Sequence, residues 1–195
     1  AEKAIDWERN KLKEKGGYQD QLFAAYGGFN HIEFKMDGTY FMNKLNLSDK
    51  FKEDFIKQSL LCYVPKQRLS YLNSVENFLD QKSTISNLLK IKEIVNNAIE
   101  LIKNSDVNGI GDLLNKSWSF KRLLPTVSNK IIDDIYNKAL QNGAIGGKLL
   151  GAGEGGFMLF ICKKGYTDHL AKSLYPLITM PLLIDNEGSK LIYSD

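Results

Sequence analysis

The chain has little of what marks a metal, redox or polyanion-binding protein. Among its 195 residues are two cysteines and two histidines. Cys62 and Cys162 each sit in an apolar, strand-like run, far apart in sequence, and neither His31 nor His169 has a companion at metal-ligand spacing. A zinc site needs several such side chains at short intervals and is excluded; two buried free thiols in a reducing cytoplasm are the expectation. Charge of one sign is also scarce, with 26 basic residues interspersed among 23 acidic ones for a net charge of +3. Without a basic stripe there is no electrostatic footprint for nucleic acid or for an anionic membrane. No apolar run approaches the ~18 residues of a membrane-spanning helix, and no leader pattern opens the residues given. Repeats and low-complexity linkers are missing as well. With 43% hydrophobic residues, what remains is a soluble globular chain long enough to bury a core.

What the chain does have is glycine, concentrated in one place. Gly146-Gly147-Lys148-Leu149-Leu150-Gly151-Ala152-Gly153-Glu154-Gly155-Gly156 holds six glycines in eleven positions and runs into the apolar segment Phe157 to Cys162. Glycine lacks a Cβ and tolerates positive φ, so successive backbone N–H groups in such a run can cradle an anion, most often phosphate. Two nucleotide motifs fail here. Gly151-x-Gly153-x-x-Gly156 has the dinucleotide spacing, but that fingerprint follows a strand and opens a helix, whereas here a helix precedes and a strand follows. A Walker loop would need glycine where Asn142 stands and Ser or Thr in place of Leu149.

Periodicity predicts helices over Glu2 to Lys15 and Gln19 to Tyr26, each stopped by a glycine pair, Gly16-Gly17 and Gly27-Gly28. Alternation at Ile32, Phe34 and Met36, followed by Asp37-Gly38 and then Thr39 to Leu45, predicts a hairpin. A buried strand is expected over Ser59 to Val64, ended by Pro65, then a helical pattern over Leu69 to Leu79. Ile85, Leu88, Leu89, Val95, Ala98, Ile99 and Ile102 mark a long amphipathic helix, with further helices near Ile110 to Leu123 and Asn129 to Gln141. Strand 157–162, a helix near Thr167 to Leu174 and short strands near 180–184 and 190–194 complete the pattern. The fold class is α+β, with helices packed on one face of a mostly antiparallel sheet.

The glycine segment resembles the C-terminal motif of the GHMP small-molecule kinases. The segment Gly16-Gly17-Tyr18-Gln19-Asp20-Gln21-Leu22 onward to Gly27-Gly28-Phe29-Asn30 is similar to the part of their sugar kinases that carries the general base. With Ser117-Trp118-Ser119-Phe120-Lys121 and Gly143 to Gly153, the likeness spans essentially the whole chain and is strongest toward the D-glycero-D-manno-heptose 7-phosphate kinases. These kinases also use an N-terminal nucleotide loop of the Pro-x-x-x-Gly-Leu-Gly-Ser-Ser type, which this sequence does not contain. The resemblance therefore implies a C-terminal portion whose N-terminal half is its missing partner. Residues 1–46 would be a remnant of the N-terminal kinase domain, holding a helix and hairpin, and residues 47–195 the C-terminal domain.

The chemistry implied is ATP- and Mg2+-dependent phosphoryl transfer to a sugar hydroxyl, the anomeric hydroxyl of a heptose 7-phosphate in the nearest branch. Such transfer rests on positioning and on charge stabilisation around the phosphoryl group. Asp20 matches the family's catalytic aspartate, and its place in the first turn of a short helix favours the ionised form. Read without the motif, it is an ordinary helix-cap residue. Glu8 matches the magnesium-ligand glutamate; alone it would be a solvated helix side chain. Gly151, Ala152, Gly153 and Gly155 match the phosphate-proximal loop, which otherwise reads as a turn allowing close packing. Gly27 and Gly28 are implied to line the sugar pocket with backbone groups, and Lys148, with Lys121, Arg122 and Arg68, is a candidate for the sugar phosphate. Glu154 departs from the glycine usual in heptose kinases and is expected to point to solvent, since a carboxylate beside phosphate is repelled. Family members often dimerise, so a homodimer is compatible. A second reading stays open: a catalytically incomplete domain that binds a sugar phosphate or packs on a partner, inactive as a kinase without the nucleotide loop.

Overall fold

The computed structural model describes residues 1–13, 17–65, 82–124, 127–151, 153 and 155–193. It divides into two units, one made by Ala1–Leu47 with Leu183–Asp195 and the other by Ser48–Leu182. The tail from 183 onward, which the sequence groups with the second domain, thus belongs to the first unit.

In the first unit, α1 (Glu2–Asp6) continues as a π-helical turn over Trp7–Lys11 and stops at Leu12, with Lys13 at a positive φ of 58°. The helix is therefore shorter than the expected span to Lys15; Lys15 and the stop residue Gly16 lie outside the described residues. Helix α2 spans Gln19–Tyr26 and ends at Gly27, φ 59°, as the glycine pair predicts. Strands β1 (Asn30–Phe34) and β2 (Tyr40–Lys44) pair antiparallel, Ile32 facing Met42 across the ladder. Asp37 builds the turn between them. Its Oδ1 accepts from the Thr39 hydroxyl at 2.6 Å and the Thr39 N–H at 2.9 Å, and these bonds hold its carboxyl below the usual range. Tyr18 stands over the hairpin, donating its hydroxyl to Gly38 O at 2.6 Å and meeting Phe34 edge-on at 5.3 Å.

The tail returns to α2. Asp185 Oδ1 accepts from the N–H groups of Glu187 and Gly188, closing a turn. Gly28 N–H donates to Asp185 O at 2.6 Å, and Ser189 donates to Ala24 O through its N–H at 3.1 Å and its hydroxyl at 3.0 Å. Backbone meets backbone here, because a Cβ on Gly27 would lie 2.4 Å from Gly188 N and one on Gly188 2.4 Å from Ala25 O. These contacts occupy the tail in place of pairing: the strand expected near 190–194 is not formed over residues 190–193.

The second unit is built on four antiparallel strands in the order β4-β5-β3-β6: β3 Ser59–Val64, β4 Ala144–Leu149, β5 Gly156–Cys162 and β6 Thr179–Pro181. Helix α3 (Asp49–Gln58) is capped by Ser48, whose Oγ accepts from Phe51 N–H, and leads straight into β3. Helices α4 (Lys82–Lys103), α5 (Val107–Lys121) and α6 (Lys130–Gln141) follow, then α7 (Thr167–Ser173). Asp106 and Asn129 cap α5 and α6 by accepting from Gly109 and Ile132 N–H. Helix α4 keeps its predicted length, but Ile85, Leu88, Leu89 and Val95 of its apolar stripe are exposed while Ile94 is buried. The helical pattern over Leu69 to Leu79 lies outside the described residues.

Strand alternation sorts the core. Leu60, Cys62 and Val64 of β3 face the same way as Phe160 and Met158 of β5, and this side buries Trp118, Ile132, Tyr136, Leu170 and Leu174. Tyr136 of α6 stacks obliquely on Phe160 and Trp118 with ring centroids 6.0 Å away in each case. Both cysteines are buried free thiols, and that burial pushes each up to about 11. Beyond the one-face packing expected, α5 also reaches the opposite side: a Cβ on Gly111 would lie 3.2 Å from the Cβ of Ile161.

The first half of the glycine segment corrects the sequence reading. Gly146, Gly147 and Lys148 are strand β4, not loop. Glycine's low strand propensity hid it, and its use here is close approach: a Cβ on Gly146 would sit 2.1 Å from Gly111 O and 2.7 Å from Asn115 Cβ, and one on Gly147 2.4 Å from Leu159 O. Gly146→Ala should therefore destabilise the fold by about 1–3 kcal/mol, because backbone rather than a movable side chain must yield. Urea unfolding of the two proteins checks this; an unchanged midpoint would mean that α5 can move off the strand at no cost.

Candidate functional site

In the first unit, the π turn and α2 aim two carboxylates into one space. Glu8 and Asp20 both line a cavity of about 470 Å³ with Gln21, Ala24, Ala25 and Ser189. Asp20 occupies the first turn of α2, which has no side-chain N-cap, and it is exposed. The partial positive charge of the free N–H groups there favours an anion. Glu8 is half-buried, and its carboxylate accepts a hydrogen bond from Gln21 Nε2. Gln21 Oε1 is buried and finds no partner among the described residues. The donors are all oxygen, which suits a hard cation; magnesium commonly takes one or two protein carboxylates and fills its shell with water and phosphate. Glu8 and Asp20 fit that habit, although no group of three or more His, Cys, Asp or Glu gathers among the described residues.

Gly27 and Gly28 lie at the other end of α2, where Gly27 is packed against the tail turn. Gly28 N–H is already committed to Asp185 O, and a Cβ there would meet Lys44 Cε at 3.2 Å. The structure thus gives both glycines a packing task.

In the second unit the glycine loop proper is the crossing from β4 to β5. Leu150 N–H donates to Phe157 O at 2.8 Å, closing its base. Gly151, Gly153 and Gly155 take positive φ values of 71°, 129° and 149°, conformations that other residues rarely adopt. Ala152 and Glu154 lie outside the described residues, as does Arg68. Lys121, at the end of α5, pins the start of the loop by donating from Nζ to Gly151 O at 2.9 Å and Leu149 O at 3.4 Å. Burial, and then the nearby Lys148 charge, lowers the Lys121 ammonium to about 8; burial likewise lowers Lys148. Arg122 is spent elsewhere, on an ion pair with Asp133 at 2.8 Å.

The structure therefore gathers Glu8 and Asp20 in the first unit, and Lys121, Lys148, Gly151, Gly153 and Gly155 in the second. Sequence reasoning passed over Gln21 and Ser189. Gln21 adjoins Asp20 in the chain, but its contact with Glu8 depends on the crossing of two helical segments, and Ser189 reaches the cavity from 165 residues beyond its bonding partner.

The lowered Lys121 gives a pH prediction. An ammonium whose folded pKa lies below the ordinary ~10.4 is more often protonated in the unfolded chain, so it adds stability as pH rises from about 8 toward that value. Peptide-resolved amine acylation across pH should give Lys121 a midpoint near 8, rising when Lys148→Gln removes the neighbouring charge. A midpoint at the ordinary lysine value in both proteins would show that the ammonium is solvated.

Comparison with known proteins bears on these sites. Residues 98–174 match the family described as GHMP kinases C terminal. The chain is 29% identical over 177 residues to a D-glycero-alpha-D-manno-heptose 7-phosphate kinase of Campylobacter jejuni, covering 89% of this chain and 52% of that protein. The crystal structure of a D-glycero-D-manno-heptose 1-phosphate kinase from Bacteroides thetaiotaomicron shares the fold with a TM-score of 0.73 at 22% identity, over 99% of this chain and 55% of that one. A candidate sugar kinase from Campylobacter jejuni gives 0.68 at 29% identity, over 96% and 54%. The chain spans about half the length of these relatives. Residues 98–174 thus match the C-terminal domain of the GHMP kinases, within an α+β architecture around antiparallel sheets, and the chain as a whole is similar to sugar kinases of that kind.

Proposed function

We propose that the protein carrying this chain transfers the γ-phosphoryl group of ATP to a sugar hydroxyl, the anomeric hydroxyl of D-glycero-D-manno-heptose 7-phosphate. The observation that carries this reading is the shared cavity of Glu8 and Asp20, set in a chain whose likeness to a heptose 7-phosphate kinase covers 89% of its length.

In this reading Asp20 is the general base. It receives the proton of the sugar hydroxyl as the oxygen attacks phosphorus, a role suited to an exposed carboxylate on the first turn of a helix. Glu8 is the carboxylate for Mg2+, which when bound would offset the charge of the phosphates. Lys121 holds the entry to the glycine loop through two of its carbonyls, and in this reading Gly153, Gly155 and the Lys148 charge are the groups that meet an anionic ligand. In this proposal the nucleotide loop lies in the half of the relatives' length that this chain does not span.

Asp20→Asn, made in the protein that includes that half, should lower sugar-dependent ADP release by about 10²–10⁴-fold while ATP affinity stays close to that of the parent. Turnover is read by coupled ADP release and nucleotide affinity by titration calorimetry. Full activity in Asp20→Asn would remove Asp20 from the mechanism. Turnover of galactose or mevalonate in preference to heptose 7-phosphate would retain the kinase and refute the substrate.

A further inference from the structure

Two polar side chains of the cavity, Gln21 and Ser189, serve neither the base nor the metal reading, and Gln21 is the one that touches a carboxylate. Gln21 is placed between the two carboxylates: it follows Asp20 directly in α2, and its Nε2 donates to Glu8 on the π turn. Its other end is unusual. Gln21 Oε1 is buried without a partner among the described residues, and no other side chain with such an orphaned atom lines this cavity. A buried acceptor left unmatched opposes folding, so a methionine or leucine of similar bulk would suit stability at least as well. What an amide adds at this position is a donor held against Glu8. The π turn points the same way, since such wide turns are uncommon and recur where a helix must aim a functional side chain; here the turn includes Glu8.

We infer that Gln21 is a positioning residue that fixes the Glu8 carboxylate for a divalent cation. The inference rests on the proposed role of Glu8. Its physical basis is the general dependence of metal carboxylates on outer hydrogen-bond donors: a free glutamate samples several rotamers, and a donor that selects one of them removes that search from the cost of binding. Gln21 can do this without competing for the cation, because the group it turns to Glu8 is an N–H donor, which coordinates no metal. The adjacent Asp20 stays free for the sugar hydroxyl, so one two-residue step of α2 serves both carboxylates.

The test uses Mn2+ as the probe and the protein that includes the N-terminal half, saturated with ADP. Free Mn2+ is read by electron paramagnetic resonance, alongside the thermal unfolding midpoint. Gln21→Met should weaken Mn2+ binding about tenfold with an unfolding midpoint equal to or above that of the parent. Gln21→Leu should repeat the loss. Glu8→Gln should weaken binding at least as much, and adding Gln21→Met to it should cost nothing further, since the carboxylate that Gln21 orients is gone. If both Gln21 variants bind Mn2+ like the parent while Glu8→Gln does not, Glu8 is a ligand and the inference is overturned. Parental binding in Glu8→Gln would overturn the metal reading of Glu8 and the role of Gln21 with it.

Discussion

Helix α5 lies so close to strand β4 that the two backbones leave no room for a methyl group: a Cβ on Gly146 would fall 2.1 Å from Gly111 O. Much of the second unit depends on that approach. It brings α5 to the β4 end of the sheet, where Trp118 enters the core beside Tyr136 and where Lys121 can reach Leu149 O and Gly151 O. A bulkier contact would lift the helix by about the width of a methyl group, and a hydrogen bond of 2.9 Å does not survive a shift of that size. The glycines at 146 and 147 and those at 151, 153 and 155 therefore do different work. The first pair removes volume, while the later ones supply backbone angles closed to other residues.

The first unit solves a different problem, which is holding charge in place on short elements. Helix α2 has eight residues and one fully buried side chain, Leu22, too little packing to fix its own orientation. It is tied at both ends instead. Tyr18, its N-cap residue, is held by Gly38 O and the Phe34 ring, and the carbonyls at its far end are taken by Ser189. Asp20 is thereby carried on a helix whose direction is set by hydrogen bonds to a hairpin and a turn.

Much of this was legible in the residues, and the reasons are local. Asp37-Gly38 between alternating runs gives the hairpin, Gly27-Gly28 ends α2, and Asn129 opens α6, because each of these depends on chemistry within a few positions. Strand β4 was not legible, since Gly146 and Gly147 carry neither alternation nor strand propensity and are justified only by Gly111 and Leu159, distant in sequence. The apolar stripe of α4 was read correctly as helical, yet it does not report which face is covered. At the site, Asp20 and Glu8 could be singled out by motif, whereas the bond between Gln21 and Glu8 could not, because it joins two helical segments whose crossing no spacing rule states. The tail was misread as a strand for a related reason: its alternating apolar residues are outweighed by the turn at Asp185 and its bonds to α2.

That tail has a consequence for the order in which the protein can be made. Residues Ala1–Leu47 leave the ribosome before Ser48–Leu182, but the contacts that tie down the far end of α2 come from Asp185, Gly188 and Ser189, which emerge only after all of Ser48–Leu182. The stretch that holds α2 must wait for the tail, while the second unit has its whole sequence in hand beforehand. At about 5–20 residues per second, the interval is on the order of ten seconds, long compared with helix or hairpin formation. During that time Asp20 and Glu8 sit on segments not yet clasped, so the acidic cavity is completed only after the second unit has been made.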